Sequence, residues 1–157
     1  MIDFELPSEK KYSARISRKT LMDIKKGVLK YVYVGKRYRN PAYSAAMLAE
    51  DIGVNHRYLS AALQLHFECN FNELVNKYRI EDAKNMMLDD NFQLTMEELA
   101  LSTGFRTRQS FYNAFSKFVG VKPKDWLEAQ LAERREAMER ERAERLKNTS
   151  FVGLDFE

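Results

Sequence analysis

The chain has 157 residues, of which 45% are hydrophobic, and its formal net charge is +3 at pH 7. This length and composition fit one folded domain or two small ones. No segment approaches the ~18 consecutive apolar residues of a membrane span, and the first residues lack the order of a signal peptide. We therefore predict a soluble cytoplasmic protein with no membrane partner.

The cysteine and histidine content argues against a disulfide or a metal centre. Cys69 is the single cysteine, and His56 and His66 are the only histidines. A zinc site would lack ligands, so we predict no metal and no cofactor. His66 and Cys69 stand three residues apart, and we interpret them as a partly buried structural pair on one helix face.

Positive charge is concentrated near the N-terminus. Residues 1–43 contain 11 lysines and arginines against 4 acidic residues, whereas residues 44–127 and 128–157 are each slightly acidic. The basic side chains include Arg15, Arg18, Lys19, Lys25, Lys26, Lys30, Lys36, Arg37 and Arg39. Two interpretations stay open: these charges contact nucleic-acid phosphates, or they form a solvated helix face and a flexible arm.

The first elements are an arm and a helix. Residues 1–19 are polar and basic and show no helical period, which predicts an N-terminal arm. From Thr20, apolar residues recur at helical spacing as far as Val32, and we expect Thr20 to cap this helix. Asn40-Pro41 then interrupts the chain, because proline donates no backbone hydrogen bond and restricts the residue before it.

A degenerate repeat follows. Residues 44–54 align with residues 95–105 at an offset of 51, and beyond the turn the offset becomes 52. In each copy a capping residue (Ser44, Thr95), a small helix residue (Ala49, Ala100), a turn glycine (Gly53, Gly104) and a second cap (Asn55, Thr107) follow in order. This order predicts two helix-turn-helix units, at about 44–66 and 95–118, with apolar faces carried by Leu59, Leu63, Phe111 and Phe115.

Two further helices are predicted. Residues 71–88 form one amphipathic helix that would link the units as a rigid spacer, and Pro123 begins a helix that continues to about Lys147. Residues 128–157 are a charged C-terminal helix and tail, braced by pairs such as Glu136 with Arg140. Leu127, Leu131, Met138 and Leu146 do not sustain a heptad, so a solvated helix is favoured and a coiled-coil dimer is the alternative.

Residues 20–127 resemble the DNA-binding domain of the AraC/XylS family of bacterial transcription regulators. The resemblance rests on Leu48-Ala49 with Gly53, on Tyr78-Arg79-Ile80-Glu81-Asp82-Ala83, and on Leu99-Ala100 with Gly104-Phe105, Phe111, Phe115, Lys117, Gly120 and Pro123. It implies an all-α fold of two homeodomain-like three-helix subdomains joined by a linking helix. The chain departs from the family at Leu65, His66 and Glu68, and at Trp126-Leu127.

The resemblance implies sequence-specific binding of double-stranded DNA in transcription regulation, with two recognition helices in adjacent major-groove segments. The side chains that point away from the apolar faces are the predicted base readers: His56, Arg57, Ser60, Ala61, Gln64, Arg106, Arg108, Gln109, Tyr112 and Asn113. The predicted phosphate contacts are Ser44, Thr95, Lys117, Lys122 and Lys124. Such a protein would work in the cytoplasm at the nucleoid.

Alternatives remain at this point. A helical protein-interaction module could keep the helix-turn-helix fold without DNA as its partner. An enzyme is disfavoured, because the chain has no Ser-His-Asp set and no phosphate-binding loop. RNA polymerase is a second partner to consider. The oligomeric state is open, since a monomer could cover two half-sites, and the chain could be a stand-alone protein or a fragment of a longer regulator.

Overall fold

The computed structural model describes residues 16–152, and these residues form helices and loops without a β-strand. The α-helices are α1 Arg18–Gly27, α2 Ala45–Ile52, α3 His56–Phe67, α4 Phe71–Met87, α5 Met96–Ser102, α6 Arg108–Val119 and α7 Pro123–Val152. The all-α prediction is confirmed. Contacts divide the chain into two compact units, Met1–Ala114 and Phe115–Glu157. No helix within the described range has the length and apolar character that crossing a membrane requires.

The first helix begins earlier than predicted. The N-cap is Ser17, whose backbone is extended and whose hydroxyl accepts a hydrogen bond of 3.1 Å from the Thr20 N–H. Thr20 is already helical, so the prediction that it caps the helix is wrong. Residues 1–15 of the predicted arm lie outside the described residues.

A π-helical segment, Val28–Val34, continues directly from α1. Its end is marked by the Gly35 N–H, which donates over 2.9 Å to the Lys30 carbonyl five residues earlier. Just before it, Gly27 allows close helix packing: a Cβ there would lie 2.3 Å from Cγ1 of Ile52. Only glycine therefore lets α1 approach the end of α2 this closely.

The first three-helix unit is closed by apolar side chains from α1, α2 and α3. Ile24, Leu48, Leu59 and Leu63 are 0–1% exposed and belong to one cluster. Burying one such side chain contributes about 1.5–3 kcal/mol to the stability of the folded state, relative to leaving it exposed to water. The predicted inward positions of the first repeat copy are thus the ones that form its core.

The repeat is visible in the backbone of both turns. Gly53 and Gly104 have φ values of 78° and 100°. One residue beyond each glycine, the N–H of Val54 donates to the Ala49 carbonyl at 3.0 Å, and the N–H of Phe105 donates to the Ala100 carbonyl at 2.9 Å. The two copies therefore end their first helices with the same backbone hydrogen bond.

The linking helix α4 matches its predicted range closely. A capping box begins it: the Asn70 side chain accepts from the Glu73 N–H at 2.9 Å, and the Glu73 carboxylate accepts from the Asn70 N–H at 3.1 Å. Leu88 forms the C-cap. Arg79 and Asp82 are buried on this helix beside its apolar residues, although the sequence pattern predicted only apolar contacts there.

The second unit, Phe115–Glu157, contains the end of α6 and all of α7. The Phe115 ring meets the Trp126 ring at a centroid distance of 5.8 Å. Farther along α7, Met138 is 70% exposed. Glu141 and Arg145 form an ion pair of 2.6 Å one turn apart. These features fit the predicted solvated helix, which runs to Val152 instead of about Lys147.

Candidate nucleic-acid interface

The first recognition helix, α3, presents most of its predicted reading residues to solvent. Asn55 begins the helix, its side chain accepting from the Arg57 N–H at 2.7 Å. The exposed side chains of the predicted set are those of His56, Arg57, Ser60 and Gln64. Ala61 is different: it is buried, with only 5% of its surface exposed. Unlike the other predicted readers of α3, Ala61 is therefore not exposed for a base contact.

The second recognition helix, α6, carries two side-chain pairs at one-turn spacing. The Gln109 amide nitrogen donates to the Asn113 amide oxygen at 2.9 Å. The guanidinium carbon of Arg108 lies 5.0 Å from the centroid of the Tyr112 ring. Both pairs hold long polar side chains in place before any ligand is bound.

Tyr112 is less available than predicted. The residue is half-buried, and its hydroxyl oxygen is buried without a hydrogen-bond partner among the described residues. A base contact through this hydroxyl would need the side chain to move. In this structure the ring instead supports the Arg108 guanidinium.

Arg106 precedes α6 and is directed toward the protein backbone. Its Nε donates over 3.4 Å to the Pro41 carbonyl. The side chain is exposed, but this contact orients it toward the segment before α2. Arg108, Gln109 and Asn113 are therefore the exposed members of the predicted reading set on α6 itself.

The two predicted anion sites at helix starts differ in charge. At α2, the Ser44 hydroxyl accepts from the Met47 N–H at 3.3 Å, and the first turn has no acidic residue. At α5, the Glu98 carboxylate accepts from the Thr95 N–H at 2.8 Å, which lowers the pKa of Glu98. Glu97 adds a second negative charge to that turn. The start of α2 is therefore the better environment for a phosphate.

Lys117, Lys122 and Lys124 are exposed in the second unit. Lys117 occupies the last turn of α6, and Lys122 and Lys124 flank Pro123 at the start of α7. The Lys122 carbonyl accepts from the Trp126 N–H at 3.0 Å, so its backbone is fixed while its side chain extends into solvent. These lysines keep the exposure that phosphate contacts require.

Two arginines of the N-terminal basic run form ion pairs within the chain. Arg37 Nη1 lies 2.6 Å from an oxygen of Asp51, and Arg39 Nε lies 2.6 Å from an oxygen of Asp82. These two arginines are ion-paired although their side chains are 45% and 43% exposed, and neither sequence interpretation included such pairs. On α1, Arg18, Lys19, Lys25 and Lys26 are exposed, and so is Lys30 in the π-helical segment.

Cys69 and His66 do not form the predicted pair on one helix face. Helix α3 ends at Phe67, so Cys69 lies beyond it, and His66 is exposed. Burial, with a smaller effect from Glu73, raises the pKa of the Cys69 thiol, which packs against the apolar cluster. A raised pKa disfavours the thiolate, which is the form that acts as a nucleophile.

Sequence reasoning missed the polar junction around Arg79. This side chain is 9% exposed and donates from Nε to the Tyr38 carbonyl at 2.7 Å. The available signal was an arginine and an aspartate, Arg79 and Asp82, one turn apart on a helix that otherwise faces apolar neighbours. Buried charges require specific partners, but the sequence pattern does not identify them.

Comparison with known proteins agrees with the repeated helix-turn-helix geometry. The sequence profile of a helix-turn-helix domain family matches residues 48–129, just over half of the chain. The melibiose operon regulatory protein of Escherichia coli K12 is 25% identical over 79 residues, which are 50% of this chain and 26% of that protein. The match thus spans about a quarter of the length of this curated relative.

Solved structures share the fold. The C-terminal domain of AraT, a response regulator from Geobacillus stearothermophilus, is 25% identical with a TM-score of 0.59, covering 73% of this chain and 88% of that one. The DNA-binding domain of AdpA, a global transcriptional factor solved with a target DNA, gives a TM-score of 0.59 at 16% identity, covering 73% and 96%. The chain belongs to the AraC-type family of helix-turn-helix domains, which are DNA-binding domains of transcription regulators and not enzymes.

Proposed function

We propose that this protein binds double-stranded DNA sequence-specifically and regulates transcription, with α3 and α6 entering successive major-groove segments. The observation that carries the proposal is the repeated turn. Both helix-turn-helix copies end their first helix with the same hydrogen bond and a positive-φ glycine, and both follow it with a helix that carries exposed polar side chains. A major groove accepts an α-helix and presents a distinct donor and acceptor pattern for each base pair.

The reading chemistry is assigned to exposed side chains with two or more donors or acceptors. Arg57 and Arg108 suit guanine, where a guanidinium can contact O6 and N7 together, and Gln109 and Asn113 suit adenine. The bond between Gln109 and Asn113 leaves the Gln109 oxygen and the Asn113 nitrogen available to a base edge. Ala61 is left out of this assignment because it is buried, and Tyr112 supports Arg108.

Phosphate contacts are assigned to Lys117, Lys122, Lys124 and the amide groups at the start of α2 near Ser44. These contacts would fix the position of the protein on the duplex without reading its sequence. Thr95 is the weaker member of the predicted set because Glu97 and Glu98 repel an anion there.

The biological setting follows from the same proposal. A regulator of this kind would work at the nucleoid and could contact RNA polymerase as a second partner. The melibiose operon regulatory protein and the AdpA domain are named for transcription regulation.

Selection of bound sequences from a random duplex library tests the proposal, followed by gel-shift titration of the selected duplex. Replacing both Arg108 and Gln109 with alanine should weaken specific binding about 30-fold or more, since one bidentate base contact contributes about 1–3 kcal/mol. Arg142→Ala, an exposed change on α7, is the control and should bind normally. If no duplex binds more tightly than random DNA, the protein is better described as a helical interaction module.

A further inference from the structure

Three parts of the first unit meet at a buried polar junction. They are the segment 37–41 before the first helix-turn-helix, the linking helix α4, and the turn 103–106 of the second helix-turn-helix. Arg79 of α4 stands at the centre: Nε donates to the Tyr38 carbonyl at 2.7 Å and Nη2 donates to the Asn40 carbonyl at 3.3 Å. One guanidinium therefore fastens the 37–41 segment to α4.

The 37–41 segment also contacts α4 through a charged side chain of its own. Arg39 donates from Nε and Nη2 to the two carboxylate oxygens of Asp82, at 2.6 and 2.9 Å. Asp82 is 8% exposed, so this bidentate pair is shielded from water on the carboxylate side. Arg79 of α4 thus binds the segment, and Arg39 of the segment binds α4. Two such contacts define the angle between the segment and α4 better than one contact would.

The turn of the second helix-turn-helix packs against this junction. A Cβ on Gly104 would lie 2.2 Å from the Tyr38 carbonyl oxygen and 2.9 Å from Nε of Arg79. The Phe105 ring centroid is 5.6 Å from the Arg79 guanidinium carbon. Arg79 thus contacts both the segment that leads into the first helix-turn-helix and the turn of the second helix-turn-helix.

We infer that Arg79 is a positioning residue that sets the separation of the two recognition helices and, through it, the half-site spacing that the protein accepts. This inference rests on the proposed function. Two recognition helices held at a fixed separation bind at the same time only when their half-sites on the DNA have the matching separation. If the contacts of Arg79 are weakened, each recognition helix still binds its own half-site, but the preference for one half-site spacing declines.

The experiment compares the selected duplex with the same duplex carrying a five-base-pair insertion between its half-sites. The insertion turns the second half-site by about half a helical turn, since B-DNA repeats every 10–10.5 base pairs. For the wild type we expect affinity to fall about tenfold or more, because the second contact is lost. For Arg79→Lys, which keeps the charge but loses the planar fork, the fall should shrink to about threefold or less.

Arg39→Gln and Arg37→Gln form a matched pair, because the wild-type side chains are 43% and 45% exposed and both are ion-paired from the same segment. Arg39 is paired with Asp82 on α4, whereas Arg37 is paired with Asp51 on α2, the first helix of the first helix-turn-helix. Arg39→Gln should lose spacing preference, and Arg37→Gln should keep it. Arg39→Gln also decides the case if Arg79→Lys does not fold, which circular dichroism will show.

The inference is overturned if folded Arg79→Lys or Arg39→Gln retains the full insertion penalty, or if Arg37→Gln loses it equally. A wild type that binds the selected duplex without any spacing preference overturns this inference alone. A wild type that prefers no duplex over random DNA overturns the proposed function as well.

Discussion

At the scale of single residues, Gly53 and Gly104 show how one sequence signal can cover two physical constraints. Both have positive φ, a conformation in which a Cβ approaches the backbone too closely. The two positions differ in the space around them. Among the described residues other than its chain neighbours, none has an atom within 4 Å of a Cβ placed on Gly53, whereas a Cβ on Gly104 would overlap the Tyr38 carbonyl. Gly53 is needed for its backbone angle alone, and Gly104 also for a close approach.

Alanine and asparagine substitutions separate these constraints. Gly53→Ala should lower the free energy of unfolding by about 1 kcal/mol, the usual cost of left-handed backbone, and Gly104→Ala by about 3 kcal/mol or more because overlap is added. Asparagine tolerates positive φ, so Gly53→Asn should recover most of the loss and Gly104→Asn should not. Urea denaturation measures all four variants, and equal losses at the two positions would contradict the assignment.

At the scale of elements, the helix starts combine the same capping chemistry with different charge. Ser44 and Thr95 each cap a helix, as predicted, but of these two helix starts only that of α5 is closed by a carboxylate. The Thr95 backbone N–H, and then its hydroxyl, hold the pKa of Glu98 below its usual value of 4.5. The start of α5 is therefore stabilised by its own side chain, and the start of α2 is left accessible to an external anion.

The pH dependence of stability tests the Glu98 cap. A carboxyl group with a lowered pKa in the folded state adds stability above its unfolded pKa and loses it as pH falls through the folded value. The wild type should therefore be more stable than Glu98→Gln at pH 7 and pH 5, and the difference should disappear well below pH 4.5. Urea midpoints at pH 7, 5 and 3 measure this, with Glu144→Gln on α7 as a control; a difference that persists at pH 3 would argue against the cap.

At the scale of the whole molecule, the basic residues differ in whether they form contacts within the chain or extend into solvent, and the modest net charge does not show this difference. Arg37, Arg39 and Arg79 are used in internal contacts, while Lys122 and Lys124 extend from the start of α7. Net charge alone therefore does not show which cations are available to a polyanion. Exposure and pairing in the folded chain decide this.

The salt dependence of binding tests this difference. Replacing both Lys122 and Lys124 with glutamine should reduce the slope of log affinity against log salt by up to about 2, because each phosphate contact releases about 0.9 counterion. Affinity for specific and random duplexes should decline together, since phosphate contacts carry no sequence information. Glutamine at both Arg140 and Arg142, exposed on α7, is the control, and an equal change in slope there would refute the assignment.

The sequence by itself determined the helices, their order and the repeat. Apolar spacing and capping residues act over a few neighbours, so α4 was predicted at 71–88 and observed at Phe71–Met87. The same local signals located both turns through Gly53 and Gly104. They placed the first cap at Thr20 instead of Ser17, because both residues can cap and only the backbone geometry distinguishes them.

Tertiary structure decided which polar residues are available and which are structural. Ala61 is buried, Arg106 turns to the Pro41 carbonyl, and Arg79 reaches carbonyl groups about 40 residues earlier in the chain. Such contacts join segments distant in sequence, and no local period records them. Helical periodicity determines which residues share a face, but the partner of a buried charge depends on which segments fold against that face.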